Sequence, residues 1–373
     1  MEEINEKLHM QLLDFDNGKR KEWVENRQPF SVLFELTPRC NFNCIHCYLQ
    51  NCHVENQLTF EEIIEIIDIL HDKGILFLTF TGGEILTRPD FADIYVYAKK
   101  KGFLVELFTN GALFNEEILN VLHEYPPLLV DISLYGADEE TYCKITGIRN
   151  AFEKVINNCK RLKELGIRVS LKSPIIKPTL PFIGKMKSLA EELQIPFVYS
   201  FEICATVDKS NEPQRLQVSL GEVLKNEFAN YYEQVADGTR KKEDNSEVIK
   251  SLADSKFVYD CNVAQNSFVV DYQGRMLPCM KLRHKGERLS KDNYDELWKE
   301  YKTYSELIAS DTYKCKGCTA RYYCDVCPAE MDFLYGDMEY RPQYVCKCAT
   351  IRKAFYEGQM TFEEALQEAA FNE

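Results

Sequence analysis

The chain has 373 residues, enough to bury one large core or a core with a smaller satellite. Apolar residues make up 45% and charged residues 28%, which excludes disorder of the whole chain, and a formal charge of -14 speaks against nucleic acid or an anionic membrane face as the main partner. No basic stretch leads into an apolar one within Met1–Met10 and no run of about 18 apolar residues occurs, so the expectation is a cytoplasmic protein with no membrane span.

Residues 1–30 are charged with weak helical periodicity and read as an N-terminal extension packed on the main body. From Ser31, short apolar and β-branched runs recur at 32–36, 75–80, 103–108, 128–134, 167–171 and 197–201, and each of the first five is followed by a stretch of helical periodicity. That alternation is the signature of a parallel sheet, and six units over 31–205 predict an open (β/α)6 partial barrel of TIM-like type. The first helix shows how firm the local signals are. Thr59 caps it, Glu62 completes a capping box, and Ile63, Ile64, Ile66, Ile67 and Leu70 form its apolar stripe before Gly74 stops it. A second helix, Ala151–Leu165, closes at Gly166 in the same way.

Residues 206–255 turn strongly charged and read as a helical bridge, with Arg240–Asp244 an exposed turn. Residues 256–350 are rich in cysteine and poor in long helical runs, as expected of a small domain held by metal. The last segment, 351–373, carries a terminal helix whose capping box is Thr361 and Glu364.

Fifteen cysteines in a reducing compartment read as metal ligands or catalytic groups before disulfides. Cys40, Cys44 and Cys47 follow the first strand directly, and Tyr48 comes next. Three thiolates on one tight loop leave a fourth coordination position to something other than protein, which suits an iron–sulfur cluster working at an open iron. A structural zinc site with His46 as fourth ligand is the rival, although zinc motifs usually pair two close ligands with a distant second pair. The other strand ends bring Gly82, Gly83 and Glu84, then Thr109, Asn110 and Gly111, then Ser133, to the same carboxyl-end mouth where a barrel places its chemistry.

These residues resemble the radical S-adenosylmethionine superfamily, whose Cys-x3-Cys-x2-Cys and Gly-Gly-Glu motifs they match. The resemblance implies a [4Fe-4S] cluster on Cys40, Cys44 and Cys47, with the amino and carboxylate groups of S-adenosylmethionine chelating the unique iron. It implies further that one electron splits the sulfonium and yields a 5'-deoxyadenosyl radical. Gly82 and Gly83 would admit the cofactor amino group, Glu84 would help to fix it, and His46 or Tyr48 would lie near the adenine. Ser133 and Lys144 are candidates for the ribose or carboxylate, against the plain alternative of capping and surface roles.

The carboxyl-terminal array, Cys261, Gly274, Cys279, Cys315, Cys318, Cys324, Cys327 and Cys346, resembles the auxiliary-cluster domain called SPASM, with one departure. Cys324 and Cys327 are separated by two residues where the family pattern has three. The resemblance implies one auxiliary [4Fe-4S] cluster on Cys315, Cys318, Cys324 and Cys346, with Cys348 competing for the last place. It implies a second on Cys261, Cys279 and Cys327, whose fourth position falls to Cys204, Cys348, a substrate thiolate or no ligand. A zinc ribbon on Cys315, Cys318, Cys324 and Cys327 would leave Cys261, Cys279 and Cys346 unexplained. Cys143 and Cys159 lie on helical patterns and read as buried apolar residues.

The leading functional expectation is a maturase that abstracts hydrogen from a peptide or protein substrate and forms a thioether or carbon–carbon cross-link, with a flavodoxin or ferredoxin as reductant. Alternatives are a formylglycine-forming sulfatase maturase, an enzyme acting on a heme-like molecule, and outside enzymes a metal-binding scaffold or electron carrier. Met280 stands after Cys279 where the sulfatase maturases tend to place an acid, and Gly82–Glu84 have no purpose in an electron carrier. Glu202 and Cys204, near the end of the sixth strand, are weak catalytic candidates, with a surface carboxylate as the alternative for Glu202.

Overall fold

The computed structural model describes residues 25–50, 52, 54–238 and 246–370. Most of the N-terminal extension, the Arg240–Asp244 cluster and Phe371 lie outside them. Six parallel strands follow the expected runs: β1 (Ser31–Thr37), β2 (Phe77–Gly82), β3 (Leu104–Thr109), β4 (Leu129–Ser133), β5 (Val169–Pro174) and β6 (Phe197–Ser200). They lie side by side in chain order, as consecutive strand–helix units do, and make the open (β/α)6 partial barrel.

The helices between them are α1 (Phe60–Asp72), α2 (Phe91–Lys100), α3 (Glu116–Glu124), α4 (Glu139–Thr146), α5 (Ala151–Glu164) and α6 (Ile183–Leu193). α1 is capped as its sequence predicts: the Thr59 hydroxyl accepts from the Glu62 amide, and the Glu62 carboxylate accepts from the Thr59 amide at 2.8 Å. Alternate strand residues such as Phe34, Phe80, Leu107, Ile132 and Leu171 are fully buried, in one core with Ile67, Tyr95 and Leu162 from the helices. The other face of each strand is left to line the concave side.

One part of the sheet has no counterpart in the strand–helix pattern. β7 (Ser267–Val270), from the cysteine-rich region, pairs parallel with β1, and β8 (Arg275–Leu277) and β9 (Glu287–Arg288) extend it antiparallel. The nine strands run β6-β5-β4-β3-β2-β1-β7-β8-β9, so the carboxyl-terminal region is built onto the barrel's first strand. The β7–β8 turn is held by buried Asp271, which accepts from the amides of Gln273 and Arg275, and Gly274 takes φ +73° in it.

The remaining helices are α7 (Leu220–Ala236), α8 (Ser246–Ala253), α9 (Tyr294–Tyr301), α10 (Pro328–Tyr335), α11 (Gln343–Tyr356) and α12 (Phe362–Ala370). α7, α11 and α12 share a small core of their own, with Phe228 stacked on Phe355 at 3.7 Å between ring centres. Cys159 is fully buried on α5 and Cys143 partly buried on α4.

Candidate active site

The loop that follows β1 is anchored at both ends by backbone. The amides of Asn43 and Ile45 bond the Thr146 and Ile145 carbonyls at the end of α4, and the amides of Gly83 and Glu84 bond the Thr37 and Arg39 carbonyls at 2.7 and 2.8 Å. This close approach explains the glycine pair. Gly82 has φ +136°, and a Cβ on Gly83 would fall 2.6 Å from the Pro38 carbonyl oxygen, closer than real Cβ contacts come.

Glu84 is completely buried and locks three strand ends together. One carboxylate oxygen accepts from the Thr109 hydroxyl at 2.7 Å and the Leu86 amide at 3.1 Å, and the other from the Asn110 amide at 2.6 Å. Asn110 in turn donates to the Asn41 side chain at 2.8 Å. The β2 and β3 ends are thereby tied to the cysteine loop, and burial raises the Glu84 carboxyl despite these bonds.

Cys40, Cys44 and Cys47 face a common space, for their charges act on one another. Burial pushes Cys40 up to about 11, and Cys44 and Cys47 also upward. Three thiols that repel as thiolates, Cys44 buried and Cys40 and Cys47 partly so, need a compensating positive centre. Three thiolates with no fourth protein donor from the same loop, among the described residues, are a donor set that fits the iron–sulfur cluster implied by the sequence.

Around the trio, His46 packs on Tyr135 with ring centres 5.0 Å apart, and burial drops its pKa to about 4, so the imidazole is neutral. Its Nδ1 is buried without a protein partner. The Ser133 carbonyl accepts from Tyr142 at 3.1 Å, whereas Lys144 is exposed on α4.

Tyr48 has a different setting. Its hydroxyl donates to Glu35 at 2.8 Å, and the Arg283 guanidinium lies over its ring at 5.4 Å and bonds Glu35 as well. Glu35 is fully buried on β1, and Arg283 is nearly so, in the turn after Cys279. A buried ion pair therefore joins the mouth to the cysteine-rich region. Sequence reasoning does not find it, although a glutamate midway along a buried β1 is a signal that an internal partner exists.

The carboxyl-terminal cysteines fall into two groups. Cys346 and Cys318 act on buried Cys315, and Cys315 and Cys346 act on Cys324, which burial raises to about 11. Cys261 and Cys327 each interact with Cys279 in the same way. Cys348 instead lies in the α7–α11–α12 core. Cys204 is raised to about 11, by burial first, and Cys327 is among the charges that reach it. Glu202 is mostly exposed and bonds Lys281, which also reaches Glu330 at 3.0 Å.

A cavity of about 1110 Å³ opens between the β6 edge and the helices α7, α10 and α11. Residues 197–203 form one wall, Glu330, Tyr335 and Tyr344 the other, and Cys327 also lines it.

Residues 34–179 match the radical SAM superfamily. The chain is 32% identical over 201 residues to the Fe-coproporphyrin III synthase of Methanosarcina barkeri, covering 53% of this chain and 48%, about half, of that protein. It is 26% identical over 322 residues to the AdoMet-dependent heme synthase of the same organism, covering 79% of this chain and 92% of the relative. To AlbA, the subtilosin biosynthesis protein of Bacillus subtilis, it is 32% identical over 44% of this chain and 37% of that one. Among solved structures, Streptococcus suis SuiB bound to precursor peptide SuiA has the same fold at TM-score 0.65 and 15% identity, over 88% of this chain and 79% of SuiB. The anSMEcpe structure with AdoMet and the Cp18Cys peptide matches at TM-score 0.63 and 20% identity, over 92% and 99%.

Proposed function

Starting from a chain that is a radical SAM enzyme, its domain at residues 34–179, we propose that it matures a peptide or protein, abstracting hydrogen from the substrate to form a thioether or carbon–carbon cross-link. In this reading Cys40, Cys44 and Cys47 hold a [4Fe-4S] cluster and the mouth beside Gly82–Glu84 takes S-adenosylmethionine. When bound, the two together supply one-electron hydrogen-abstraction chemistry.

The chain's own residues do the positioning. Glu84 and Asn110 fix the loops on which the thiols stand, His46 and Tyr135 offer an uncharged aromatic wall for the adenine, and Ser133 is the nearby hydroxyl. Cys315, Cys318, Cys324 and Cys346 would hold one auxiliary cluster, and Cys261, Cys279 and Cys327 a second, with Cys204, which the charge of Cys327 reaches, as a further thiol.

The observation that carries the reading is the cavity along β6. One wall is β6, the edge strand of the sheet among the described residues, and the cavity reaches Cys327. An extended peptide fits such a place by adding main-chain hydrogen bonds to the edge. AlbA, a bacteriocin biosynthesis protein, and SuiB and anSMEcpe, each solved with a bound peptide, support it.

A second reading, chemistry on a tetrapyrrole, is favoured by the near full-length likeness to heme synthase. Anaerobic protein reconstituted with iron and sulfide, then given S-adenosylmethionine and dithionite, should release 5'-deoxyadenosine; flavodoxin or ferredoxin should replace dithionite. Product formed on Fe-coproporphyrin III and on no peptide would decide for the second reading.

A further inference from the structure

Two cysteines of the carboxyl-terminal array stand in the same short pattern. Tyr259 lies two residues ahead of Cys261, and Tyr313 two ahead of Cys315. Both tyrosines are buried, at 3% and 5% exposure, in the core against which Cys279 and Cys327 pack. Arg321 holds the two segments side by side. Its guanidinium pairs with Asp260, between Tyr259 and Cys261, donates to the Phe257 carbonyl and to the Cys315 carbonyl at 3.4 Å, and lies 5.9 Å from the centre of the Tyr313 ring.

The two phenols differ in what they meet. Tyr313 donates its hydroxyl to the Cys315 sulfur. The Tyr259 hydroxyl is buried with no hydrogen-bond partner among the described residues. A buried donor left unmade is costly, so a partner belongs there. The charged and polar groups that act on this hydroxyl are Asp332, Tyr304, Cys327 and Cys261. Tyr304 meets the Tyr259 ring edge-on at 6.0 Å between centres, and Asp332 is already held by His284 at 2.8 Å and Lys285 at 3.5 Å. That leaves the side of Cys261 and Cys327. An orphaned donor beside those two thiols fits a group that brings further sulfur acceptors with it.

We propose that the Tyr259 hydroxyl donates to a sulfur of the auxiliary cluster held by Cys261, Cys279 and Cys327, and thereby makes that cluster easier to reduce. The proposal rests on the reading of those three cysteines as cluster ligands and adds the residue that tunes them. Reduction adds negative charge to the cluster, and a hydrogen bond to one of its sulfurs stabilises the more negative form. The spacing Tyr-x-Cys thus serves both auxiliary sites: Tyr313 reaches a cysteine sulfur within the chain, and Tyr259 waits for the cluster.

The test uses the full chain reconstituted with iron and sulfide. Cys279→Ala should lose about four iron atoms, and the electron paramagnetic resonance signal missing from it identifies the second auxiliary cluster. Tyr259→Phe should keep its iron and lower the potential of that signal alone. The expected size is about tenfold in the equilibrium constant for reduction, the worth of one hydrogen bond, or about 59 mV for one electron. In protein exchanged into deuterium oxide, the reduced cluster should show an exchangeable deuteron coupling that Tyr259→Phe removes. Tyr294→Phe is the control, because its hydroxyl is also buried without a partner but lies by Asp295, with Lys73 5.0 Å from its ring centre. It should leave both the potential and the coupling unchanged, whereas a general loss of packing would not delete one deuteron. An unshifted potential or a retained coupling in Tyr259→Phe, or equal shifts in the two variants, overturns the assignment and leaves water as the partner. Iron unchanged in Cys279→Ala faults the cluster reading itself, and the assignment falls with it.

Discussion

The two cysteine-bearing regions are built by different means. At the mouth, the loop holding Cys40, Cys44 and Cys47 is tied by backbone bonds to β2 and α4, and Glu84 is held by three strand ends, so the scaffold exists before anything binds. The carboxyl-terminal array has a three-residue and a two-residue strand, short turns, and an exposed Cys261. A rigid sheet sets the first site; the second, on the proposed reading, would be organised by its metal.

The widest separation should appear in activity. Cys44→Ala should drop 5'-deoxyadenosine release to the buffer background with the fold intact by circular dichroism, because two thiolates would not hold the proposed cluster. Cys315→Ala should leave some release and take with it about a third of the bound iron, four atoms of twelve if all three clusters form. Equal loss of release in both variants, with equal loss of iron, would erase the proposed division.

Chelation tests the same contrast through folding. Protein stripped of iron should become open to proteolysis first in the short turns between Cys315 and Cys327, while the barrel strands and β7, which share one apolar core, stay protected by that burial. Simultaneous cleavage of the barrel would mean that one cooperative unit spans both regions.

The link between the regions is the Glu35–Arg283 pair, and breaking it should be expensive. Arg283→Met leaves a buried carboxylate unpaired and should cost about 3–5 kcal/mol by denaturant unfolding; adding Glu35→Gln should return a good part of it. Additive losses in the double variant would show that the two side chains do not interact.

How much of this was legible in the sequence follows the range of the interaction. Strand runs, the α1 cap and the cysteine spacing are local patterns and could be read directly. The pairing of β7 with β1 joins residues far apart in the chain and leaves no periodic trace. Arg283 and Glu35 are 248 positions apart. The concave charges were partly visible, because Glu106 and Asp131 interrupt apolar strands at alternate positions, but which of them share a face depends on register. Glu84 was found by motif, although its contacts show it bracing the loops as much as facing a cofactor.

The smallest effect makes the comparison sharpest, because one motif occurs in both settings. Thr59 and Glu62 cap α1 in the barrel, and Thr361 and Glu364 cap α12 beside the cysteine array, each pair exchanging side-chain and backbone bonds. Thr59→Ala should cost about 1 kcal/mol whether or not iron is present. Thr361→Ala should lower the midpoint of the carboxyl-terminal transition more in stripped than in loaded protein if, as proposed, Cys346 on α11 is a cluster ligand that helps hold the neighbouring helix. The Thr59 amide keeps the Glu62 carboxyl below its ordinary range, so this contribution is present at neutral pH and fades as pH falls from the ordinary carboxylate range through the folded value. Thr59→Ala removes the hydroxyl and keeps that amide, so scans at pH 7 and pH 3 of Glu62→Ala, which removes the carboxylate, should show its deficit shrinking on acidification. A Glu62→Ala deficit of equal size at both values would show that the carboxylate's charge contributes nothing to the cap.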